Sequence, residues 1–147
     1  MPKLELSVSV VAACTPEHAF DYFADYHHVA LVLEGINRWE PLGGQTQGEG
    51  ARYSVEMLAL GFPLHTVLRL NRWRRPRVIG WISESGLIKQ EGAFTFTSVP
   101  EGVRIVLDIG YVPPASLLGA AVARRLDGFV RRRLTLAMER IRETLET

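Results

Sequence analysis

Apolar and polar side chains alternate strictly at the start of the chain. In residues 4–10, LELSVSV, every second side chain is apolar, which is typical of a strand with one buried face. The alternation stops at CTPEHAF, where Thr15 can cap a helix and Pro16 suits its first position. Phe20 and Phe23 then share one face of a short predicted helix. The following DYHHVALVLEGI predicts a second short helix, or a turn followed by one.

Strand patterns then follow one another with only turns between them. The segments are INRWEPL, ARYSVEMLA, LHTVLRLNRW, VIGWISES, KQEGAFTFTSV and VRIVLDIGYV. Turn-forming stretches such as GGQTQGEG, GFP and RRPR separate them. Such close spacing without intervening helices predicts consecutive antiparallel hairpins.

A long helix is predicted over residues 116–145, after two prolines at 113–114 that end the sheet. Its apolar positions recur mainly every four residues, so the apolar stripe drifts around the helix axis by about 40° per step. Such a drift suits a helix that lies across a curved sheet. The apolar positions are Leu118, Val122, Leu126, Val130, Leu134, Ala137, Ile141 and Leu145.

The composition is that of an ordinary globular protein. The chain has 147 residues, 47% of them apolar and 22% charged, and the order of its elements predicts one α+β domain over residues 1–147. The single cysteine, Cys14, leaves no internal disulfide, which fits a reducing compartment or a fold that needs no disulfide bridges. Neither a signal peptide nor an apolar run long enough to span a membrane is apparent. We therefore expect a cytoplasmic protein.

The order of elements and several local motifs resemble the START-like superfamily, in particular its polyketide cyclase/dehydrase and lipid-transport (SRPBCC) branch. SVVAACTPEHAFDYFADYHHV is similar to the strand and capped helix that open these domains, and GEGARYSVEM to their Gly-x-Gly-x-x-Tyr/Trp strand start. LRLNRWRRPRVIGWISESG and GAFTFTSVPEGVRIVLDIGYVPP resemble two of their hairpins. The resemblance covers nearly the whole chain. It implies a helix-grip fold, in which a curved antiparallel sheet of about seven strands wraps around a long C-terminal helix and two short helices follow the first strand.

The resemblance also implies a cavity between the sheet and the long helix that holds a hydrophobic ligand. Members of the branch carry lipids or quinones, cyclise or dehydrate polyketides, or regulate other proteins, and a fold does not select among these roles. Binding or carriage of a small hydrophobic ligand is our first hypothesis. The alternatives are an enzyme of the polyketide cyclase/dehydratase type and a protein-interaction module that uses the basic C-terminal helix.

One face of the predicted sheet is almost wholly apolar and aromatic, whereas alternation assigns charged residues such as Arg52, Arg69 and Asp108 to the other face. A packed core is one interpretation of the apolar face, and the wall of a ligand cavity is the other. A β-bulge would reverse the alternation beyond it. With three side chains of the long helix, the predicted ligand-binding set is Tyr53, Val55, Met57, Thr66, Leu68, Trp81, Ser83, Phe94, Phe96, Leu107, Ile109, Tyr111, Leu118, Val122 and Phe129.

Four members of this set carry hydroxyl groups, namely Tyr53, Thr66, Ser83 and Tyr111. In an apolar cavity such groups orient a ligand, and in an enzyme they polarise a carbonyl. Alternatively, each hydroxyl is bonded to nearby backbone. The face offers no plain general base, so the sequence assigns no catalytic residue and leaves open whether the protein is an enzyme.

The long helix carries a local excess of positive charge. Between residues 124 and 142 seven arginines outnumber two acids, although the net charge of the whole chain is +1. A solvated face with ion pairs three or four residues apart is one interpretation. No aromatic interleaving or nucleic-acid-binding module accompanies the charge, so no nucleic-acid partner is expected. The other interpretation is a surface for an anionic membrane or an acidic protein at Arg124, Arg131, Arg132 and Arg133.

The histidines do not have the spacing of metal ligands. His27 and His28 are adjacent, so on a helix they point about 100° apart. Neither a cysteine nor a carboxylate stands at a useful distance from them, or from His18 and His65. The chain also has no phosphate-binding loop and no GxSxG motif. We therefore expect neither a metal nor a cofactor.

Overall fold

The strands and helices predicted from alternation and capping correspond to elements of the fold. The computed structural model describes residues 4–32, 36–59, 62–86, 89–112 and 120–147. The predicted start of the long helix, at residue 116, lies outside these ranges. The elements are β1 (Leu4–Ala12), α1 (Pro16–Ala24), α2 (Tyr26–Val32), β2 (Ile36–Pro41), β3 (Arg52–Ala59), β4 (Phe62–Arg74), β5 (Val78–Gly86), β6 (Lys89–Val99), β7 (Gly102–Val112) and α3 (Ala120–Glu146).

Within the described residues the seven strands form one antiparallel sheet, in the order β1-β7-β6-β5-β4-β3-β2. From β2 to β7 each strand pairs with the next one in sequence, and β1 pairs with β7. The sheet curls into a half-barrel, and α3 packs along β1. The predicted helix-grip α+β fold is therefore confirmed.

Two bulges interrupt the pairing of β4 with β5. Register shifts leave Glu84 of β5 and Asn71 of β4 as extra residues without a partner in the ladder. A bulge bends its strand and increases the local twist, which helps the sheet to curl. The bulge at Asn71 also reverses the alternation, so that Leu70 and Trp73 both line the inner face although they are three positions apart.

The first helix covers the inner face near the β4–β5 turn. Its start is capped as predicted, because the Thr15 hydroxyl accepts a hydrogen bond from the backbone N–H of His18 at 3.1 Å. Phe20 and Phe23 pack edge-on or tilted against Phe96, with both ring centroids 5.6 Å from that of Phe96. These rings fill one end of the half-barrel with side chains.

The C-terminal part of α3 fills the other side of the core. Buried side chains recur there every three or four residues, as an amphipathic helix requires, and they are Leu134, Ala137, Met138, Ile141 and Leu145. The end of the helix is tied to the end of β1, since Glu146 accepts a hydrogen bond from the backbone N–H of Ala13 at 2.9 Å. Over residues 127–133 of α3 the side chains are half-buried or exposed, and part of this stretch lines the cavity described below.

Candidate ligand-binding cavity

A cavity of about 190 Å³ lies between the inner face of the sheet and the part of α3 that contains Phe129, Val130, Arg133 and Leu134. Its described walls are mostly aromatic and aliphatic. Leu58, near the end of β3, lines the cavity and is also 42% exposed. The cavity therefore reaches the surface beside the hairpin formed by β3 and β4.

Most of the side chains in the predicted ligand-binding set stand on this wall. Alternation placed them on one face because only one face of each strand is buried. Their presence on the wall is a matter of geometry, and their contact with a ligand is a proposal developed below. The predicted residues on the wall are Tyr53, Val55, Met57, Leu68, Trp81, Phe94, Leu107, Ile109, Tyr111 and Phe129.

Three predicted residues lie away from the described wall. The hydroxyl of Thr66 donates a hydrogen bond to the backbone carbonyl of Ser85 at 2.7 Å. The hydroxyl of Ser83 accepts one from the backbone N–H of Gln90 at 2.9 Å, just beyond the end of the β5–β6 ladder. Phe96 is buried beneath α1, as described above. The last two predicted residues cannot be compared with the wall, because Leu118 and the side chain of Val122 lie outside the described part of the chain.

Several wall residues were missed by the sequence analysis. Trp39 stands on β2, whose residues do not alternate cleanly between buried and exposed. Trp73 is hidden from an alternation argument by the bulge at Asn71. Phe23 and Tyr26 reach the cavity from the two short helices. A usable signal for the two tryptophans was available, because a large indole among charged strand residues, as in INRWEP and LNRWR, usually has a buried side.

Aromatic rings form two adjoining groups on the cavity wall. Phe94 lies between Phe23 and Trp81, with ring centroids 4.2 Å and 5.5 Å away. Tyr53 lies between Trp39 and Tyr26, with ring centroids 5.7 Å and 5.9 Å away. All three tryptophans of the chain, Trp39, Trp73 and Trp81, line the cavity. The intrinsic fluorescence of the protein therefore reports on this one site.

Two tyrosine hydroxyls on the wall differ in their partners. Tyr53 donates a hydrogen bond to the backbone carbonyl of Thr46. Tyr111, which is 6% exposed, finds no hydrogen-bond partner for its buried hydroxyl within the described part of the chain. Burial raises the pKa of each tyrosine to about 12, with a smaller contribution from the Asp127 carboxylate in the case of Tyr111. Both phenols are therefore uncharged hydrogen-bond donors at neutral pH.

A third polar group on the wall is the indole N–H of Trp39. Its nitrogen, Nε1, is buried and has no hydrogen-bond partner among the described residues. An indole N–H can only donate a hydrogen bond. The wall thus presents two buried donors, on Trp39 and Tyr111, that the described protein does not satisfy.

The arginines of α3 are distributed unevenly along the helix. Residues 124–133 contain five arginines and a single acid, Asp127, which lies 3.9 Å from Arg131. Further along, Arg142 is paired with Glu139 at 2.8 Å and with Glu146 at 3.0 Å. The predicted pairing of neighbouring charges thus occurs at Arg131 and Arg142, and the excess of positive charge in residues 124–133 lies beside the cavity.

One arginine of this group belongs to the cavity wall itself. The guanidinium carbon of Arg133 lies 4.5 Å from the centroid of the Phe129 ring, within range of a cation–π interaction. Arg124, Arg125, Arg131 and Arg132 are exposed.

The histidines bind to different partners near the α1–α2 junction and on the outer face of the sheet. Nδ1 of His27 lies 2.8 Å from the Asp25 carboxylate, and Nδ1 of His28 lies 2.7 Å from the carbonyl oxygen of Tyr22. His65 contacts the Ser54 hydroxyl across β3 and β4. In the described residues no three metal-binding side chains come together. The described helices also include none that is long and apolar enough to cross a membrane.

A half-barrel that grips a long helix over an apolar cavity defines the class of START-like helix-grip domains. The sequence profile of the family described as "Polyketide cyclase / dehydrase and lipid transport" matches residues 3–146 of the chain. The protein therefore belongs to this family, and the predicted superfamily is confirmed. No curated protein sequence matches the chain.

Solved structures with the same fold cover nearly the whole chain. The protein TTHA0849 from Thermus thermophilus is 16% identical with a TM-score of 0.80, covering 98% of this chain and 97% of its own. The ZhuI aromatase/cyclase from Streptomyces sp. R1128 is 16% identical with a TM-score of 0.78, covering 98% and 94%. A START superfamily protein from Mycobacterium smegmatis is 14% identical with a TM-score of 0.74, covering 97% and 98%. At such identities the likeness establishes the fold alone.

Proposed function

We propose that the protein binds and carries a small hydrophobic ligand, such as a lipid, a quinone or a polyketide-like molecule, in the cavity beneath α3. The observation that carries the proposal is the cavity itself, about 190 Å³ of space behind apolar walls. Protein interiors pack closely and leave few voids larger than a water molecule. Dry apolar cavities of roughly 150 Å³ bind small aromatic molecules. The family description, which includes lipid transport, agrees with this role.

The nature of the polar groups favours carriage over catalysis. Tyr53 and Tyr111 are uncharged donors at neutral pH, since the pKa of each is about 12. Such groups orient a ligand, but they do not accept a proton from it near pH 7. The alternative is an enzyme of the cyclase/dehydratase type, in which the same tyrosines polarise a carbonyl. It predicts conversion of a bound polyketide-like substrate that is lost in Tyr111→Phe.

The carrier proposal is tested with a variant that fills the cavity. Ile109 lines the cavity, whereas Val106, three residues earlier on β7, has the opposite orientation. Ile109→Trp is expected to weaken binding of the fluorescent aromatic molecule 1-aminoanthracene at least about tenfold, because the indole occupies the space of the ligand. Val106→Trp adds the same group outside the cavity and serves as the matched control.

Each outcome of this experiment has a definite meaning. A loss of 1-aminoanthracene binding in Ile109→Trp but not in Val106→Trp supports a ligand site in the cavity. Equal binding by both variants and the unmodified protein contradicts it. Circular dichroism and thermal unfolding of the two variants separate a filled cavity from a misfolded protein.

We further propose that the protein docks on an anionic membrane surface through the basic part of α3. Arg124, Arg131 and Arg132 are exposed there, and Arg133 of the same stretch lines the cavity. Anionic lipid attracts basic residues by about 1 kcal/mol each near the surface. Docking at this position brings the cavity to the lipid that supplies or receives the ligand. An anionic leaflet that faces the cytoplasm agrees with the cytoplasmic location expected from the sequence.

Vesicle binding tests this second proposal. Reversing Arg124, Arg131 and Arg132 to Glu is expected to weaken binding to phosphatidylglycerol vesicles more than about 100-fold. The matched control reverses three exposed arginines elsewhere, Arg74, Arg77 and Arg104. Equal loss in both triple variants contradicts a specific surface on α3. Failure of the unmodified protein to bind, combined with capture of an acidic protein by α3, selects the protein-interaction alternative.

A further inference from the structure

Two polar atoms of the described protein are buried in the cavity wall without a hydrogen-bond partner, Nε1 of Trp39 and the hydroxyl oxygen of Tyr111. Folded proteins satisfy the great majority of their buried polar groups, because an unsatisfied one is costly. Two such donors in one apolar cavity need a physical reason. A ligand that accepts hydrogen bonds from both supplies it.

The other hydroxyls of the predicted inner face show that the fold can satisfy such groups. Tyr53 donates to the carbonyl of Thr46, and Thr66 donates to the carbonyl of Ser85. Ser83 is also satisfied, by the backbone N–H of Gln90. A third buried polar atom without a partner, Oδ1 of Asn71, is at the bulge of β4, and Asn71 does not belong to the described wall. Among the described residues, the two unsatisfied donors both belong to side chains that line the cavity.

The topology separates the two donors. Trp39 stands on β2, at one edge of the sheet, and Tyr111 stands on β7, next to the strand at the other edge. The sheet order places β2 and β7 five strand positions apart. Because the sheet curls around α3, both side chains line the same cavity from different walls. A ligand that satisfies both must carry polar atoms at two separated positions.

We propose that Trp39 and Tyr111 are polar anchors for a ligand with two separated, uncharged oxygen acceptors on an apolar skeleton, as in a diketone or a quinone. This inference rests on the carrier function proposed above and specifies its ligand. Trp39 can only donate, so the group opposite it is an acceptor. The Tyr111 phenol is uncharged at neutral pH and donates to a second oxygen. A hydrocarbon, or a lipid with polar groups at one end alone, leaves at least one anchor unsatisfied.

A series of three ligands isolates the contribution of the oxygens. Decane-2,9-dione has two carbonyls on a flexible chain, decan-2-one has one, and decane has none. Their affinities are measured by displacement of 1-aminoanthracene from the unmodified protein, Trp39→Phe and Tyr111→Phe. For each protein we take the ratio of its affinity for decane-2,9-dione to its affinity for decane, and we compare this ratio between proteins. A changed affinity for the fluorescent 1-aminoanthracene then cancels. Tyr22→Phe is the matched control, because Tyr22 is outside the described cavity wall.

Each anchor variant is expected to lower the ratio of diketone to decane affinity about five- to tenfold, since only the diketone loses a hydrogen bond. Decan-2-one, which satisfies one anchor at a time, is expected to lose less in either single variant. Tyr22→Phe is expected to leave the ratio unchanged. Tyr111→Phe should unfold at the same or a higher temperature than the unmodified protein, because it removes an unsatisfied buried hydroxyl and leaves the ring in place. A purely structural role predicts the opposite shift.

The inference and the function on which it rests fail in different ways. If decane and the diketone bind but lose affinity by the same factor in the variants, the anchors do not recognise oxygens. The inference is then overturned while the carrier function stands. If 1-aminoanthracene and all three ligands fail to bind the unmodified protein, the carrier function falls and the inference falls with it.

Discussion

Trp81 of β5 lies opposite Gly92 of β6, and its indole ring occupies the space in which a side chain at Gly92 would stand. A Cβ atom added at Gly92 would lie 2.7 Å from Cε2 of the indole and 3.0 Å from the carbonyl oxygen of Asp108. A glycine inside a strand often marks such a close approach. Its lack of a side chain lets Trp81 lie against the sheet and form part of the cavity wall.

Gly92→Ala is therefore expected to displace the indole of Trp81. The strain should lower the free energy of unfolding by about 1–3 kcal/mol and weaken 1-aminoanthracene binding. Gly44→Ala is the matched control, because a Cβ there meets no described atom within 4 Å. Urea unfolding and fluorescence titration of the two variants measure both effects. Unchanged stability in Gly92→Ala would show that the indole is not held against the glycine.

The two buried tyrosines of the cavity should respond oppositely to the same substitution. Tyr53→Phe removes a hydrogen bond to the carbonyl of Thr46 and is expected to lower the free energy of unfolding by about 1 kcal/mol. Tyr111→Phe removes a hydroxyl without a described partner and should leave stability equal or raise it. Urea unfolding of both variants checks the contrast. Equal destabilisation would mean that the free protein satisfies both hydroxyls.

Stability should fall at alkaline pH because of these tyrosines. In the folded protein the pKa of Tyr53 and that of Tyr111 are about 12, against 10.0 for an unperturbed tyrosine. Above pH 10.0 the unfolded chain therefore loses phenolic protons that the folded protein still holds, which favours unfolding until the pH passes about 12. Phenolate absorbance and urea unfolding across this range measure the effect. The double variant Tyr53→Phe/Tyr111→Phe should show a weaker decline, and an unchanged decline would argue against buried phenols.

Gly128 of α3 is a position at which the protein can be stabilised. It is exposed in the middle of the helix, and a Cβ there meets no described atom within 4 Å. Gly128→Ala should therefore raise the free energy of unfolding by about 1 kcal/mol without changing ligand affinity. Thermal unfolding measures the stability of Gly128→Ala, and titration with 1-aminoanthracene measures its ligand affinity. A weaker affinity in this variant would indicate that the ligand approaches the helix backbone at this glycine.

Alternation along the strands was enough to predict the strands and the apolar face of the sheet. Residues such as Tyr53 and Val55 or Leu107 and Ile109 are two apart, and a strand buried on one face sends both inward. The helix-grip arrangement was predicted from the order of the elements and from the resemblance of their motifs to the START-like superfamily. These features are local, so the amino-acid sequence alone carries them.

The parts of the wall that escaped prediction depend on contacts between distant segments. Trp73 faces inward only because Asn71 is bulged, and the sequence does not mark a bulge. Phe96 has the predicted orientation, but α1 covers it. Thr66 also points inward, yet its hydroxyl is bonded to the carbonyl of Ser85. Alternation predicts the face of the sheet to which a side chain points. The partner that the side chain contacts there depends on which segment of the chain packs against that face.

The mass of the protein in its native state tests the central claim most directly. The protein is purified gently from its own host and weighed by native mass spectrometry, before and after unfolding and after exposure to lipids, quinones and polyketide-like molecules. A carrier is expected to show an apolar adduct of discrete mass that is lost on unfolding, and Ile109→Trp is expected to lack it. A bare mass under all of these conditions would contradict ligand carriage and indicate that the cavity does not hold a ligand.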